Sequence, residues 1–163
     1  ATWGRILQSP AEKQDRIVKM EKIFDEAPLW AYSANEGRKH FQKLCMQCHR
    51  LGEDGVQLGP ELTGAGQHGI RYFLENIIDP NAVIGSDFQL TTVETKKGDV
   101  ISGIILGETA SALTLRTTTE PVVIAKTDIA KRETSDKSLM PEGLLESLAD
   151  REQIELLNYL TSH

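Results

Sequence analysis

Hydrophobic positions recur at helical spacing near both ends of the chain, and a long middle stretch switches to strand-like alternation. Ile17, Met20, Ile23 and Phe24 lie three, four or seven apart, which predicts an amphipathic helix over about 10–26. Ser9-Pro10-Ala11-Glu12 reads as its capping box, with proline at the first helical position, and Pro28 ends it. A second box, Ser33-Ala34-Asn35-Glu36, opens a helix that runs into Cys45 with Gly37 and Phe41 on one face. The glycine-rich stretch RLGEDGVQLGPELTGAG predicts a loop, and IRYFLENIID a short helix stopped by Pro80. From about 84 to 133 the chain becomes rich in Thr, Val and Ile, with KKGD as a hairpin turn. That pattern predicts a small antiparallel unit of four or five strands, in which Ile104, Leu106 and Val123 are buried. SLMPEGLLESL comes next as a loop and short helix. DREQIELLNYL closes the chain as an amphipathic helix with Ile154, Leu157 and Leu160 on one face.

The chain of 163 residues suits one domain or one domain with an appendage. Hydrophobic residues make up 39% and the net charge is −6, so this is a globular composition and nucleic acid is not the expected partner. No apolar run approaches the roughly 20 residues that span a bilayer, so no transmembrane segment is expected. No signal peptide is visible at Ala1. The abrupt opening ATWGRILQSP, with an exposed-looking Trp3, suggests either a cleaved leader or a piece of a longer chain. Residues 1–33 read as an N-terminal helical extension or linker, or equally as a helix packed on the core of the domain that begins at residue 34.

Chemistry concentrates in Cys45-Met46-Gln47-Cys48-His49, which holds both cysteines of the chain. A C-x-x-C pair serves as a redox disulfide, as half of a zinc site, or as the attachment point of covalent haem. Structural zinc wants a second pair of ligands, and His40, His68 and His163 are scattered. A thioredoxin-like dithiol wants a strand before it, and the residues before Cys45 are helical in pattern. C-x-x-C-H is the haem c signature, in which two thioethers form and the adjacent histidine ligates iron.

Gly37-x-x-x-Phe41-x-x-x-Cys45-x-x-Cys48-His49, Gly59-Pro60-x-Leu62-x-Gly64, Met140-Pro141 and Leu157-Asn158-Tyr159-Leu160 together resemble a class I cytochrome c. The chain is more closely similar to the haem-binding domain typical of Planctomycetes and Verrucomicrobia (the Pirellula/Verrucomicrobium type). That likeness rests also on Asp79-Pro80-Asn81-Ala82 and Ser138-Leu139-Met140-Pro141-Glu142-Gly143-Leu144, and spans about 36–161. The resemblance implies a mainly α fold: class I cytochrome c helices around one covalent haem c, with a small antiparallel β insertion between the third core helix and the distal Met loop. It implies that the helix of Gly37 and Phe41 crosses that of Tyr159 and Leu160. It implies domain limits of 34–163, with the insertion at about 84–133. Ala149 stands where a Thr or Ser cap is usual.

Thioethers at Cys45 and Cys48 and a proximal His49 are implied by the signature. For the distal position Met46 cannot reach across, Met20 precedes the attachment helix, and Met140 lies in a proline-fixed loop where the family places its ligand. His68 is the alternative. His40 and His163 are expected in solvent. By the resemblance, the Pro60 carbonyl holds the His49 imidazole, and Gly59, Pro60, Leu62, Leu74, Ile78, Leu139 and Leu144 line the haem. Arg71 or Tyr72 is a candidate partner for a propionate. The expected function is electron transfer by an exported, periplasmic protein that is not itself an enzyme, with a redox protein partner or a fused dehydrogenase. The alternatives are a haem enzyme or ligand sensor with a labile distal Met, and a docking module acting through the β insertion.

Overall fold

The computed structural model describes residues 10–85 and 88–163, which form two compact units. The α unit runs to Ala82 and resumes at Met140; the β unit covers Val83–Leu139. The expected cap at Ser9 and the reading of Trp3 lie outside the described residues.

In the α unit, α1 (Ala11–Glu26) starts one residue later than expected, with Pro10 extended just before it. The Pro10 carbonyl accepts the amides of Lys13 and Gln14 at 3.0 and 3.1 Å. Ile17 and Phe24, seven apart, face the core, and Met20 packs on the same cluster. α1 is therefore part of this core and packs along α3 (Gly69–Ile78). The second helix, α2 (Ala34–Leu44), is capped by Ser33, whose hydroxyl accepts the Glu36 amide at 3.3 Å. Two short strands, β1 (Arg50–Leu51) and β2 (Asp54–Gly55), lie between α2 and α3. α3 stops before Asp79-Pro80 because the residue preceding proline is disfavoured in the helical region.

α4 (Asp150–Thr161) is preceded by Ala149 at its N-cap, which has no side-chain acceptor. Only the returning half of a capping box exists: the Glu152 carboxylate accepts the Ala149 amide at 2.8 Å. α4 is buried on more than one stripe. Gln153 and Glu155 are buried beside Ile154, Leu156 and Leu157. The Gln153 amide donates to the Leu148 carbonyl at 3.0 Å, so its burial is satisfied.

α2 and α4 cross where Gly37 meets α4. A Cβ on Gly37 would stand 2.7 Å from the Tyr159 Cβ, inside any normal contact. Next to it the Phe41 and Tyr159 rings pack tilted, with centroids 5.9 Å apart. Glycine lets the backbones approach, and the aromatic pair fills the space above the crossing.

The β unit contains β3 (Leu90–Thr95), β4 (Val100–Glu108), β5 (Ala112–Arg116), β6 (Val122–Ala125) and β7 (Ile129–Thr134). All pairings in this five-stranded sheet are antiparallel, in the order β6-β5-β4-β3-β7. KKGD forms the expected turn, with Gly98 at φ +90° and its amide bonded to the Thr95 carbonyl at 2.9 Å.

β6 and β7 occupy opposite edges although only Lys126–Asp128 join them. In a flat sheet those edges would stand about 19 Å apart. Four Cα steps reach at most about 14 Å. The sheet must curl, and the joining turn bonds to both sides of the curl. The Lys126 amide donates to the Ser111 carbonyl and the Lys96 amide to the Asp128 carbonyl, each at 2.8 Å. Val93, Leu113, Leu115 and Ile124 form the inner cluster. Gly103 leaves room for it, since a Cβ there would lie 3.2 Å from the Leu115 Cβ. β3 and β7 are neighbours, and the Ser135 amide bonds the Leu90 carbonyl at 2.8 Å, so the chain enters and leaves this unit at adjacent points.

Two expectations are corrected here. The fold is not mainly α: helix accounts for 41% and strand for 23%, because the middle segment forms a five-stranded sheet with its own core. Of the apolar residues expected to be buried, Ile104 is, but Leu106 and Val123 are 42% and 68% exposed. Val123 lies between the inward Val122 and Ile124, so alternation turns it outward. Leu106 sits at a register shift between Ile105 and Gly107, where the alternation breaks.

Candidate functional site

The cysteine–histidine segment extends α2 by one turn. The Cys45 carbonyl accepts the amides of Cys48 at 3.0 Å and His49 at 2.8 Å. The chain then makes a hairpin, β1 with β2, turned by Gly52 at φ +61°. Arg38 of α2 grips this hairpin through two bonds to the Asp54 carboxylate, at 2.7 and 3.1 Å. The hairpin brings Gly59 and Pro60 back onto His49. The Gly59 amide bonds the Cys48 carbonyl at 2.6 Å.

The His49 ring is fixed on two sides. Nδ1 lies 2.8 Å from the Pro60 carbonyl oxygen, which can only accept, so in the neutral ring Nδ1 carries the proton. Nε2 is thereby left as the lone-pair nitrogen. The ring face rests on Gly59, where a Cβ would come within 2.8 Å of Cε1. Burial holds the imidazole pKa below its ordinary value, against the opposing pull of the Pro60 carbonyl. The ring is a neutral, oriented nitrogen donor.

Burial also keeps both thiols protonated, with Cys45 pushed up to about 12 and Cys48 raised as well. Dithiol exchange starts from a thiolate, which this environment disfavours. Among the described residues, no three His, Cys, Asp or Glu side chains are placed to hold a metal ion.

Cys45, Leu62, Met140 and Leu144 are half-buried and border one core, which contains Leu74 and Ile78. Met20 and Met46 border it too. Leu139 is exposed and is not part of this core. His68 is exposed and packs tilted against Tyr72, with centroids 4.9 Å apart. His40 is not in solvent as expected: its Nε2 lies 3.5 Å from the buried Glu155 carboxylate. The His163 ring bonds the Tyr159 carbonyl at 2.8 Å. Arg71 is engaged by Glu21 and Glu75, at 2.9 and 2.8 Å.

Sequence reasoning missed a charged network beside Met140. The Lys13 ammonium donates to Asp79 at 2.8 Å and to Glu142 at 2.9 Å. The Asn81 amide donates to the same Glu142 oxygen at 2.7 Å, and Arg16 pairs with Glu146. Hydrogen bonding to Asp79 holds the Lys13 pKa above its ordinary value. The available signals were Lys13 on the helical stripe of Ile17 and acids at positions 79 and 142 in otherwise apolar or turn-forming motifs.

Residues 34–98 match the family model for cytochrome c. The matched segment starts at the first residue of α2 and takes in the cysteines, His49 and α3, but neither Met140 nor α4. The chain has no match among curated proteins. The match supports a cytochrome c haem-binding domain here, with haem c as its cofactor and electron carriage as its role. The residues present fit that group, since two free cysteines, three positions apart, stand immediately before an imidazole that the Pro60 carbonyl orients and that packs directly on Gly59. No helix among the described residues is long and apolar enough to cross a membrane.

Proposed function

We propose that the α unit holds one haem c through thioethers to Cys45 and Cys48, with His49 and Met140 as the axial ligands. The chain then works as a one-electron carrier. The observation that carries the reading is the His49 imidazole, protonated at Nδ1 toward Pro60 and seated on Gly59 one residue beyond Cys48. A nitrogen ligand held in this way keeps one orientation and gains basicity from its carbonyl partner. Haem iron with both axial positions filled exchanges electrons without binding substrate, and methionine ligation raises its potential. Met140 supports the distal role because it borders the same core as Cys45, in a loop fixed by Pro141.

The β unit is an insertion into this haem unit, as in the Planctomycete and Verrucomicrobium type. Since haem c is attached outside the cytoplasm, the protein works in the periplasm. Its electron donor is a redox protein or a dehydrogenase domain of the same polypeptide. Acid–acetone extraction tests the thioethers: the haem should stay with the protein, and free haem in the supernatant overturns them. Met140→Ala should abolish the weak far-red band of Met-ligated ferric haem. An unchanged band overturns the distal assignment.

A further inference from the structure

The network around Lys13 ties three segments that sequence order keeps apart. Lys13 is four residues before Ile17, so it stands on the buried stripe of α1. Its stem runs along that face, and its ammonium meets Asp79 just after α3 and Glu142 two residues beyond Met140. Asp79 is 5% exposed, so this half of the pair is shielded from water. Asn81 bonds Glu142 from the α3 side. One helical turn further along α1, Arg16 pairs with Glu146 at the far end of the same loop. The loop thus has ionic anchors near both ends, and both cations come from α1.

We propose that α1 is a clamp on the Met140 loop, with Lys13 and Arg16 as positioning residues that set how readily the methionine leaves its coordination position. The proposal rests on the His49/Met140 reading. A surface loop opens locally at low cost when little holds it, and a competing ligand enters only while it is open. Anchors near both ends of a seven-residue stretch, Met140–Glu146, raise the cost of that opening. Removing Lys13 releases Glu142 and also leaves the Asp79 carboxylate without its ammonium partner. Removing the Glu142 charge releases the loop and leaves Lys13 on Asp79. The two substitutions therefore act on the same loop through different residues.

The test uses the full, haem-loaded ferric protein titrated with imidazole, which competes with methionine for iron. The far-red band reports displacement, and denaturant unfolding of the same samples reports global stability. Lys13→Met keeps the apolar stem and should lower the half-displacing imidazole concentration about tenfold, and Glu142→Gln by a similar factor. The double variant should fall short of the product of the two, because both remove one shared contact. Lys13→Arg keeps the charge and should stay close to the parent. Glu142 is half exposed, so its variant folds and supplies the reading if Lys13→Met does not load haem. Parental imidazole affinity in Glu142→Gln and in any folded Lys13→Met overturns the clamp, even if unfolding midpoints fall, since Lys13 would then be only structural. Met140→Ala run alongside separates the two levels. If it keeps the far-red band, the ligand assignment fails and the clamp with it. If it loses the band while the clamp variants behave as the parent, the clamp alone fails.

Discussion

Gly37→Ala adds a single methyl group at the α2–α4 crossing. That carbon would stand 2.7 Å from the Tyr159 Cβ, and the Glu155 carbonyl oxygen is closer still. Carbon atoms in good contact sit about 3.5–4.0 Å apart, so the helices must separate by about 1 Å. A gap of that size forfeits a quarter to a half of the attraction between the facing atoms. Overpacking of this kind costs about 1–3 kcal/mol, and loss of the Phe41–Tyr159 pair up to about 1.5 more. Alanine returns about 1 kcal/mol, because glycine is the poorer helix former. The net expectation is destabilisation by about 2 kcal/mol, or about 30-fold in the folding equilibrium. For a unit of this size that is a fall in Tm of the order of 10 °C. Denaturant unfolding followed at the Soret band reads the α unit, where the crossing lies. If Gly37→Ala lies within about 0.5 kcal/mol of the parent, the close approach does not govern this crossing.

Gly59→Ala places a carbon 2.8 Å from His49 Cε1, so the ring must tilt and its bond to Pro60 lengthen. Stability should fall by about 1–3 kcal/mol with a shift in reduction potential, and a variant unchanged in both refutes the supporting role of the glycine. Replacing residues 90–135 by a short Gly/Ser linker should preserve the His/Met spectrum, because the ends are joined by one bond of 2.8 Å between Ser135 and Leu90. A folded, haem-bearing deletion without the far-red band would mean that the β unit positions the ligand loop. Arg38 holds the Asp54 carboxyl below its ordinary range, first through a hydrogen bond. A depressed carboxylate stabilises fully above its unfolded pKa of about 3.9, and that stabilisation is lost as pH falls through the folded value. Arg38→Gln should therefore trail the parent in unfolding midpoint near neutrality and converge with it in acid. A gap that persists to about pH 2 excludes the pair as its cause.

What the sequence made legible was local. The cap at Ser33, the turn at KKGD and the stops before Pro28 and Pro80 each depend on residues that signal their own geometry, and the crossing of Gly37 with Tyr159 is present as the resemblance implied. The Pro60–His49 bond is present as the resemblance implied. Alternation located the strands but not their pairing. PVVIAKTDIAKRE reads as one segment, and the structure splits it at Lys126–Asp128 and sends its halves to opposite edges. Nothing within that segment specifies the edge; the register of β7 against β3 does, through Thr91↔Thr134 and Val93↔Arg132. The weight given to helices fails for a related reason. The strand pattern is plain in the sequence, but a curled sheet with Val93, Leu113, Leu115 and Ile124 inside is a core in its own right.

Charge was the least legible layer. Lys13 looks like any solvated residue of an N-terminal helix, and its worth depends on Asp79 and Glu142, 66 and 129 positions away. Hydrophobic periodicity gives the face a residue occupies, and Lys13 shares the face of Ile17. A cation on a buried stripe must find an anion or remain unburied, because an isolated charge is expensive to desolvate. That requirement is readable in advance, although the identity of the anion is not. It is also why α1 packs into the core of the α unit: its buried stripe continues from apolar residues into an ammonium that this unit's carboxylates satisfy. Ile17, at 0% exposure, contributes its burial to that core with Lys13 one turn above it.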